Sequence, residues 1–534
     1  MINLKKNNFM EGAIIATLSI ILTKVIGILY VIPFYKIIGE KGGALYGYAY
    51  NIYNIFLIIS SAGIPLAISK LTSEYQAKKE YRNKAIMYSI SKKVIQIFSI
   101  SCFLICFLFA KPLASLIIGD ISGGNTIEDI SFVIRCVSFA LLVVPTLSIS
   151  RGFLQGHNYI TSSSISQVVE QLVRIAVILG GSYIAMYIFN MPLKVAVGIS
   201  VFAACIGAIF AYIYLYMKMR KLKKETSIKE AATKEEKKEI IKKVISYSIP
   251  FIVVSIANNL YNTTDMILLI RGLDIIGFNA ADIETISSVF TTWGNKLTSI
   301  VTSFATGLVI SLIPTVVNAY TKKDDKMVNI YFNKTLQVLL FIILPITLFM
   351  SIYAKEIWGI FYNENYFGPI IFKYTILVAL LDSAYIMICS ALQGLYKNKL
   401  IYTAVIIGLV INALLDIPLI LLFNKLGIYP YYGAITATVI GYIISLTIPL
   451  YNLYKKENFN YKDTVVKLPK IAFSATLLVL TACLLKNILP KFTGYIGTII
   501  YLAIAGIITF GIYYALNYKI INSILLDKIK KTKK

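Results

Sequence analysis

Apolar blocks of roughly 20 residues recur along the whole chain, separated by short loops that carry most of its lysines. A block of that length matches the ~30 Å hydrocarbon core of a bilayer at a rise of about 1.5 Å per residue. No water serves backbone groups inside that core. The helix satisfies its own, so it is the expected form of each block. Composition agrees: 57% of the 534 residues are hydrophobic and 15% are charged, against about 25% charged in soluble domains. The chain reads as an all-α, polytopic protein of the cell membrane.

The blocks predict fourteen transmembrane helices. A first group of six covers 11–38, 48–68, 88–110, 130–154, 163–189 and 193–217. A second six covers 246–271, 286–313, 328–354, 368–392, 401–423 and 431–454, and two more cover 467–489 and 495–517. This gives a first lobe at 1–217, a basic cytoplasmic linker at 218–244 and a second lobe at 245–456. Residues 457–534 add two extra helices and a basic cytoplasmic tail.

The formal net charge is +26. With the N-terminus in the cytoplasm, most Lys and Arg residues fall on the cytoplasmic side. The opposite loops, such as Asp120–Asp129 and Asp274–Glu284, are neutral or acidic. That asymmetry follows the positive-inside rule and places both termini in the cytoplasm. The positive charge therefore addresses lipid headgroups, and no motif points to nucleic acid. The first apolar block is too long for a signal-peptide core and reads as a retained helix.

Cys102, Cys106, Cys136, Cys205, Cys389 and Cys483 all sit in apolar blocks, and His157 is the one histidine. Neither a metal site nor a protein-bound cofactor is expected.

The two groups of six look like copies. Leu154-Gln155-Gly156 ends the fourth helix and Leu392-Gln393-Gly394 the tenth. Lys93-x-x-Gln96 matches Lys334-x-x-Gln337, and Ala110-Lys111 matches Ala354-Lys355. Ile64-Pro65 matches Ile313-Pro314, all at offsets of about 240 residues. Six is even, so both copies enter the membrane in the same sense, as two lobes around a central site.

Charges inside spans cost about 2.5–3.5 kcal/mol each at the bilayer centre and mark candidate sites. Asn258, Asn262 and Asp265 share one face of the seventh helix. Thr292, Lys296, Ser299 and Ser303 share a face of the eighth, and Thr17 and Lys24 a face of the first. These stripes predict a hydrophilic cavity with Lys24 and Lys296 in its wall. Glu170 and Arg174 are an i,i+4 pair, either neutralising each other or serving as a gate or ion-coupling element. Arg135 either lines the cavity or snorkels to the headgroups. Asp416 precedes Pro418 and either serves backbone freed by the proline or, with Asp265 and Asp382, a gate or ion site.

The segment Arg151-Gly-Phe-Leu-Gln-Gly-His-Asn158, followed by Ser166-Gln-Val-Val-Glu-Gln-Leu-Val-Arg174, resembles the stage V sporulation protein B type of polysaccharide transporter. That type belongs to the multidrug/oligosaccharidyl-lipid/polysaccharide exporter superfamily, which also contains the MviN-type lipid II flippases. The resemblance covers essentially the whole chain. It implies flipping of an undecaprenyl-pyrophosphate-linked cell-wall precursor, lipid II foremost, by alternating access. It places Lys24 and Lys296 on the pyrophosphate; Arg135 and Arg174, charged residues inside spans, are further substrate-binding candidates. It implies no catalytic residue and a monomer driven by Na⁺, H⁺ or the membrane potential. Tyr30 stands where a further arginine is expected, and the second helix, 48–68, has no basic residue.

Two other functions compete. A cation-coupled multidrug or metabolite exporter of the same superfamily would use Glu170, Asp265 or Asp416 for its ion. A membrane glycosyltransferase or polymerase would need a large outer loop with acidic catalytic residues, and the longest outer loop has about 20 residues. A role beside cell-wall synthesis proteins stays open on the sequence.

Overall fold

The computed structural model describes residues 19, 22–24, 26–61, 63–119, 124–220, 233–362, 365–457, 459–490 and 494–531. They are helical almost throughout. Their contacts cluster into two compact units, 1–292 and 293–534. Among the described residues, ten helices are long and apolar enough to cross a membrane, and an eleventh counts if one bent pair is a single crossing. This is a multi-pass membrane protein.

In the first unit the bent pair is α1, Leu22–Leu29, and α2, Val31–Ser61, which meet at 50°. Helix α2 is broken again at Gly39, where φ is 61° and ψ is −162°. That region is essentially reserved for glycine and costs other residues about 1–3 kcal/mol, so the chain turns where the first predicted span stops. Next come α3, Ile64–Ala77, opened by Gly63 and Pro65, and α4, Tyr81–Leu108. Helix α5 is Ile127–Gly156, α6 is Ile160–Ile188 and α7 is Leu193–Met219. Helix α8, Lys234–Ile275, and α9, Ala280–Ser288, complete the unit.

Helices α3 and α5 touch through a Gly152-x-x-x-Gly156 stripe, the small-residue pattern that lets membrane helices approach closely. A Cβ on Gly152 would stand 2.8 Å from Pro65 Cα, and one on Gly156 would stand 2.6 Å from Thr72 Cβ. Part of the motif that carries the family resemblance is therefore a packing device.

Helix α8 begins in water. Thr233 and Glu236 form a reciprocal N-terminal cap, and Arg82 holds Glu236 at 2.7 Å. That guanidinium, with the Thr233 main-chain N–H, keeps the Glu236 carboxyl down at about 2. Ile240 and Val244 then join the apolar cluster of Ile68, Leu71, Met87 and Phe153.

A π-helical turn, Val289–Trp293, runs from the end of the first unit into the second and leads to α10, Gly294–Thr321. Helix α11 is Asp325–Ile352, α12 Phe367–Gly394, α13 Asn398–Lys425 and α14 Tyr431–Lys456. Helix α15, Lys462–Ile488, and α16, Gly494–Lys531, follow. Helix α15 is fixed to α11 at both ends. At one end Thr464 Oγ1 donates to Asn333 at 2.6 Å, and Gln337 Nε2 to Asp463 at 2.8 Å. At the other, Lys486 Nζ donates to the Ile352 carbonyl at 2.7 Å and to Glu356 at 3.0 Å.

The stretches predicted as seventh and eighth crossings are helical too, in α8 and in α9 to α10. They are not among the ten, and both carry the polar stripes noted above.

Helix-ending turns of the two units share backbone features. The turns after α3 and α10 place Lys79 and Lys323 at φ 59° and 56°, and those after α5 and α12 place Asn158 and Tyr396 at 64° and 57°. The bonds match as well: Tyr159 N to Leu154 O is 2.9 Å, and Lys397 N to Leu392 O is 3.0 Å. Substituting Gly152→Val should overpack the α3–α5 contact and cost about 2 kcal/mol. A lowered unfolding midpoint in detergent checks this; an unchanged midpoint would refute the packing role.

Candidate functional site

Helix α6 presents Ser166, Glu170 and Arg174 at four-residue intervals, hence along one face. Arg151, near the end of α5, reaches the same face. Its Nε donates to Ser166 Oγ at 2.8 Å, and its Nη2 lies 2.9 Å from Glu170 Oε2. Arg174 pairs with the other oxygen of Glu170. One carboxylate thus lies between two guanidinium groups, and the cluster carries an excess of one positive charge. At an effective dielectric constant of 20, each unit charge ~4 Å away contributes about 4 kcal/mol, so the cluster repels a further cation and attracts an anion.

Neighbouring helices shape this cluster. Gly207 of α7 lies against it: a Cβ there would stand 2.7 Å from Glu170 O and 3.3 Å from Arg174 Cβ. From α2, Tyr46, Tyr50 and Tyr53 lie within electrostatic reach of Arg174. Their rings form a column with centroid spacings of 5.3 and 5.4 Å. It continues through Phe34 to Tyr30, where the resemblance leads to an arginine. Helix α1 runs beside α6, since a Cβ on Gly27 would stand 3.2 Å from Gln171 Nε2. Lys24 lies one turn before Gly27, with an exposed side chain.

The other predicted residues are distributed as follows. Thr17 and the side chain of Asn258 lie outside the described residues. Asn262 of α8 is exposed and Asp265 half-buried. Thr292 is buried and donates to the Gly43 carbonyl at 2.8 Å. Lys296 is half-buried on α10. Ser299 and Ser303 bond back to carbonyls of their own helix, which leaves their oxygens as acceptors.

Arg135 is exposed, 5.9 Å from the Phe107 ring of α4. It lies sixteen residues, about 24 Å, along the same helix from Arg151. Asp382 accepts from Tyr442 OH at 3.3 Å. Asp416 is fully buried, and Asn412 one turn earlier is fully buried with both amide atoms unpaired among the described residues.

A further cluster ties α9 to the break in α2 and to the loop before α5. Glu284 accepts from the main-chain N–H of Asn125. Lys41 Nζ donates to Gly124 O at 3.3 Å, and Asn125 Nδ2 to Lys41 O at 3.1 Å. Thr285 Oγ1 donates to Glu40 Oε2 at 2.9 Å. Burial pushes the Glu284 carboxyl up, against the bond from Asn125 and the charge of Lys41.

Sequence reasoning placed Glu170 and Arg174 together but missed Arg151, Asn412 and Glu284. Arg151 stood in the motif itself. Asn412 sits one turn before Asp416, a spacing that could have flagged it.

The family model described as polysaccharide biosynthesis protein matches residues 9–319. The chain belongs to this family. The polysaccharide biosynthesis family member also matches the MatE model over residues 289–417. It is 32% identical over 498 residues to the lipid II flippase MurJ of Bacillus subtilis (strain 168), covering 92% of this chain and 90% of that one. It is 20% identical to stage V sporulation protein B of the same organism, over 67% of this chain and 68% of that one.

Among solved structures, a lipid II flippase MurJ in an inward closed conformation aligns with TM-score 0.64 and 15% identity, covering 94% of this chain and 99% of that one. The eukaryotic MATE transporter AtDTX14 aligns with TM-score 0.59 and 15% identity, covering 85% and 96%. These likenesses show the fold. The family models and the curated relatives bear out the resemblance to the multidrug/oligosaccharidyl-lipid/polysaccharide exporter superfamily. The protein is a membrane transporter related to the lipid II flippase and polysaccharide biosynthesis machinery. Among the described residues, no cluster of three or more metal-ligating side chains is present.

The raised Glu284 carboxyl gives the α9 cluster a definite pH dependence. A carboxyl raised in the folded state holds more protons there than when undocked. Docking is therefore firmest at and below the ordinary value of 4.5 and weakens as pH rises from there through the raised value. Corrected amide exchange of 280–288 should be slower at about pH 5 than at about pH 8. Glu284→Gln should remove the difference; a wild type with no difference would contradict the assignment.

Proposed function

We propose that the protein flips an undecaprenyl-pyrophosphate-linked cell-wall precursor, lipid II foremost, across the cytoplasmic membrane by alternating access. The observation that carries this reading is the 32% identity with a lipid II flippase across 92% of the chain. In this reading the chain makes fourteen crossings, as two pseudo-symmetric lobes of six helices plus two. Its termini and its 218–244 linker are cytoplasmic, where lysine is concentrated.

Lys24 and Lys296 hold the pyrophosphate, each as a mobile ammonium on a polar stripe. Their attraction for a diphosphate grows as the cavity excludes water. Glu170 acts as a gate element, held until the substrate's anionic group competes for its arginines. The driving force is a cation gradient or the membrane potential, worth about 2.3 kcal/mol per charge per 100 mV. The protein works as a monomer, with membrane lipids and cell-wall synthesis proteins as its surroundings.

A second reading is a cation-coupled exporter of the same superfamily. The buried Asn412–Asp416 pair favours it, as an oxygen-rich site for a small cation within the stretch that matches the MatE model.

Proteoliposomes with lipid II on one leaflet decide between them. The expected outcome is translocation by wild type and a loss of tenfold or more (order of magnitude) in Lys24→Ala, matching removal of one close charge contact. Equal rates in both would remove Lys24 from the pyrophosphate site. No lipid II movement, with export of a cationic dye down an ion gradient, would replace the flippase reading with the exporter.

A further inference from the structure

Arg151, Glu170 and Arg174 present more charge and more donors than a structural brace needs. A brace inside a membrane protein is cheapest when neutral, and one arginine on Glu170 would achieve that. Two are present. Each guanidinium has five N–H donors, while one carboxylate offers about four acceptor sites. Arg174 Nε is buried with no hydrogen-bond partner among the described residues. Yet the cluster is not sealed: the Arg174 side chain keeps 23% of its surface accessible.

The surroundings fit an anion with several oxygens. The tyrosine column of α2 supplies hydroxyl-bearing rings within electrostatic reach of Arg174. Gly207 lets the α7 backbone pack directly on Glu170 and Arg174, which holds the cluster's helix in place. Planar guanidinium groups bind phosphate and carboxylate oxygens in a fork, which Lys24 cannot do.

We propose that this cluster is a second anion site, at which Arg174 exchanges its pairing with Glu170 for a phosphate of a lipid-linked diphosphate. Arg151 keeps Glu170 neutralised during the exchange, so the carboxylate is never left alone. The site is a station separate from Lys24. Gly27 of α1 packs on Gln171 of α6, Lys24 lies one turn to one side and Arg174 one turn to the other. If both helices ascend together, as first and fifth crossings do, the two are about 9 Å apart along the axis. A diphosphate would pass from one to the other. This inference rests on the flippase reading above.

The test is equilibrium binding of radiolabelled undecaprenyl pyrophosphate to the full chain in nanodiscs. Arg174→Gln should weaken binding about tenfold, as loss of a charge-assisted fork does. Arg151→Gln leaves a neutral pair and should also weaken it. Glu170→Gln releases both guanidinium groups and should tighten binding severalfold. A brace predicts no change: folded Glu170→Gln and Arg151→Gln variants that bind as wild type does would overturn the proposal. Should Glu170→Gln not fold, Arg151→Gln alone decides.

Lys24→Ala separates the two readings. If it abolishes binding while the cluster variants bind normally, the second site falls and the flippase reading stands. If wild type does not bind the probe, both fall. Displacement by inorganic pyrophosphate would assign recognition to the diphosphate itself. Resistance to displacement, with the cluster variants still weakened, would assign it to a headgroup presented from the bilayer.

Discussion

A bilayer interior offers no water to an unpaired charge, and each polar feature of this protein answers to that constraint. Backbone groups are satisfied within helices. Hydroxyls of Ser299, Ser303, Ser182 and Ser200 turn back onto carbonyls of their own helices. Glu356 and Lys486 pair where α11 meets α15. Against that background, the residues with excess charge or unmet hydrogen-bonding capacity stand out. The Arg151–Glu170–Arg174 cluster has one charge too many, and Asn412 beside Asp416 has amide atoms without partners among the described residues. A membrane protein keeps such residues at a cost, which is why the proposed transport chemistry is placed on them.

Similar helix pairings recur in the two units. Within the first unit α3 packs on α5 and α6 on α7; within the second α10 packs on α12 and α13 on α14. The paired turns at Asn158 and Tyr396 keep the same left-handed backbone although one is asparagine and the other tyrosine. Asparagine tolerates that geometry, whereas a bulky ring is strained in it. The left-handed geometry is therefore imposed on Tyr396 by the packing of the helices it joins.

Much of this was legible in the sequence, because apolar block length and the bilayer share one dimension. Helices α7 and α14 begin at Leu193 and Tyr431, the starts read from hydropathy. The reading fell short where helix and membrane do not coincide. Helix α8 starts at Lys234, well before the apolar stretch, because its cap and a Glu239–Lys243 pair sustain it in water. The break at Gly39 and the π turns at 184–188, 289–293 and 339–343 leave hydropathy unchanged. The candidate site was half legible for a related reason. Spacing along one helix pairs Glu170 with Arg174, but Arg151 arrives from another helix, and no periodicity encodes that approach.

The double attachment of α15 to α11 has a mechanical consequence. A helix held at one end can swing; one held at both ends becomes part of the body it is fixed to. Helix α11 and α15 therefore act as a single beam, stiffened by the Phe341, Ile471, Leu478 and Tyr513 cluster between its ends. The beam presents a broader and more rigid flank than α11 alone would. Whatever displacement the second unit undergoes, the surrounding lipid must yield along that whole flank, and the thickness and stiffness of the membrane enter directly into the work of each cycle.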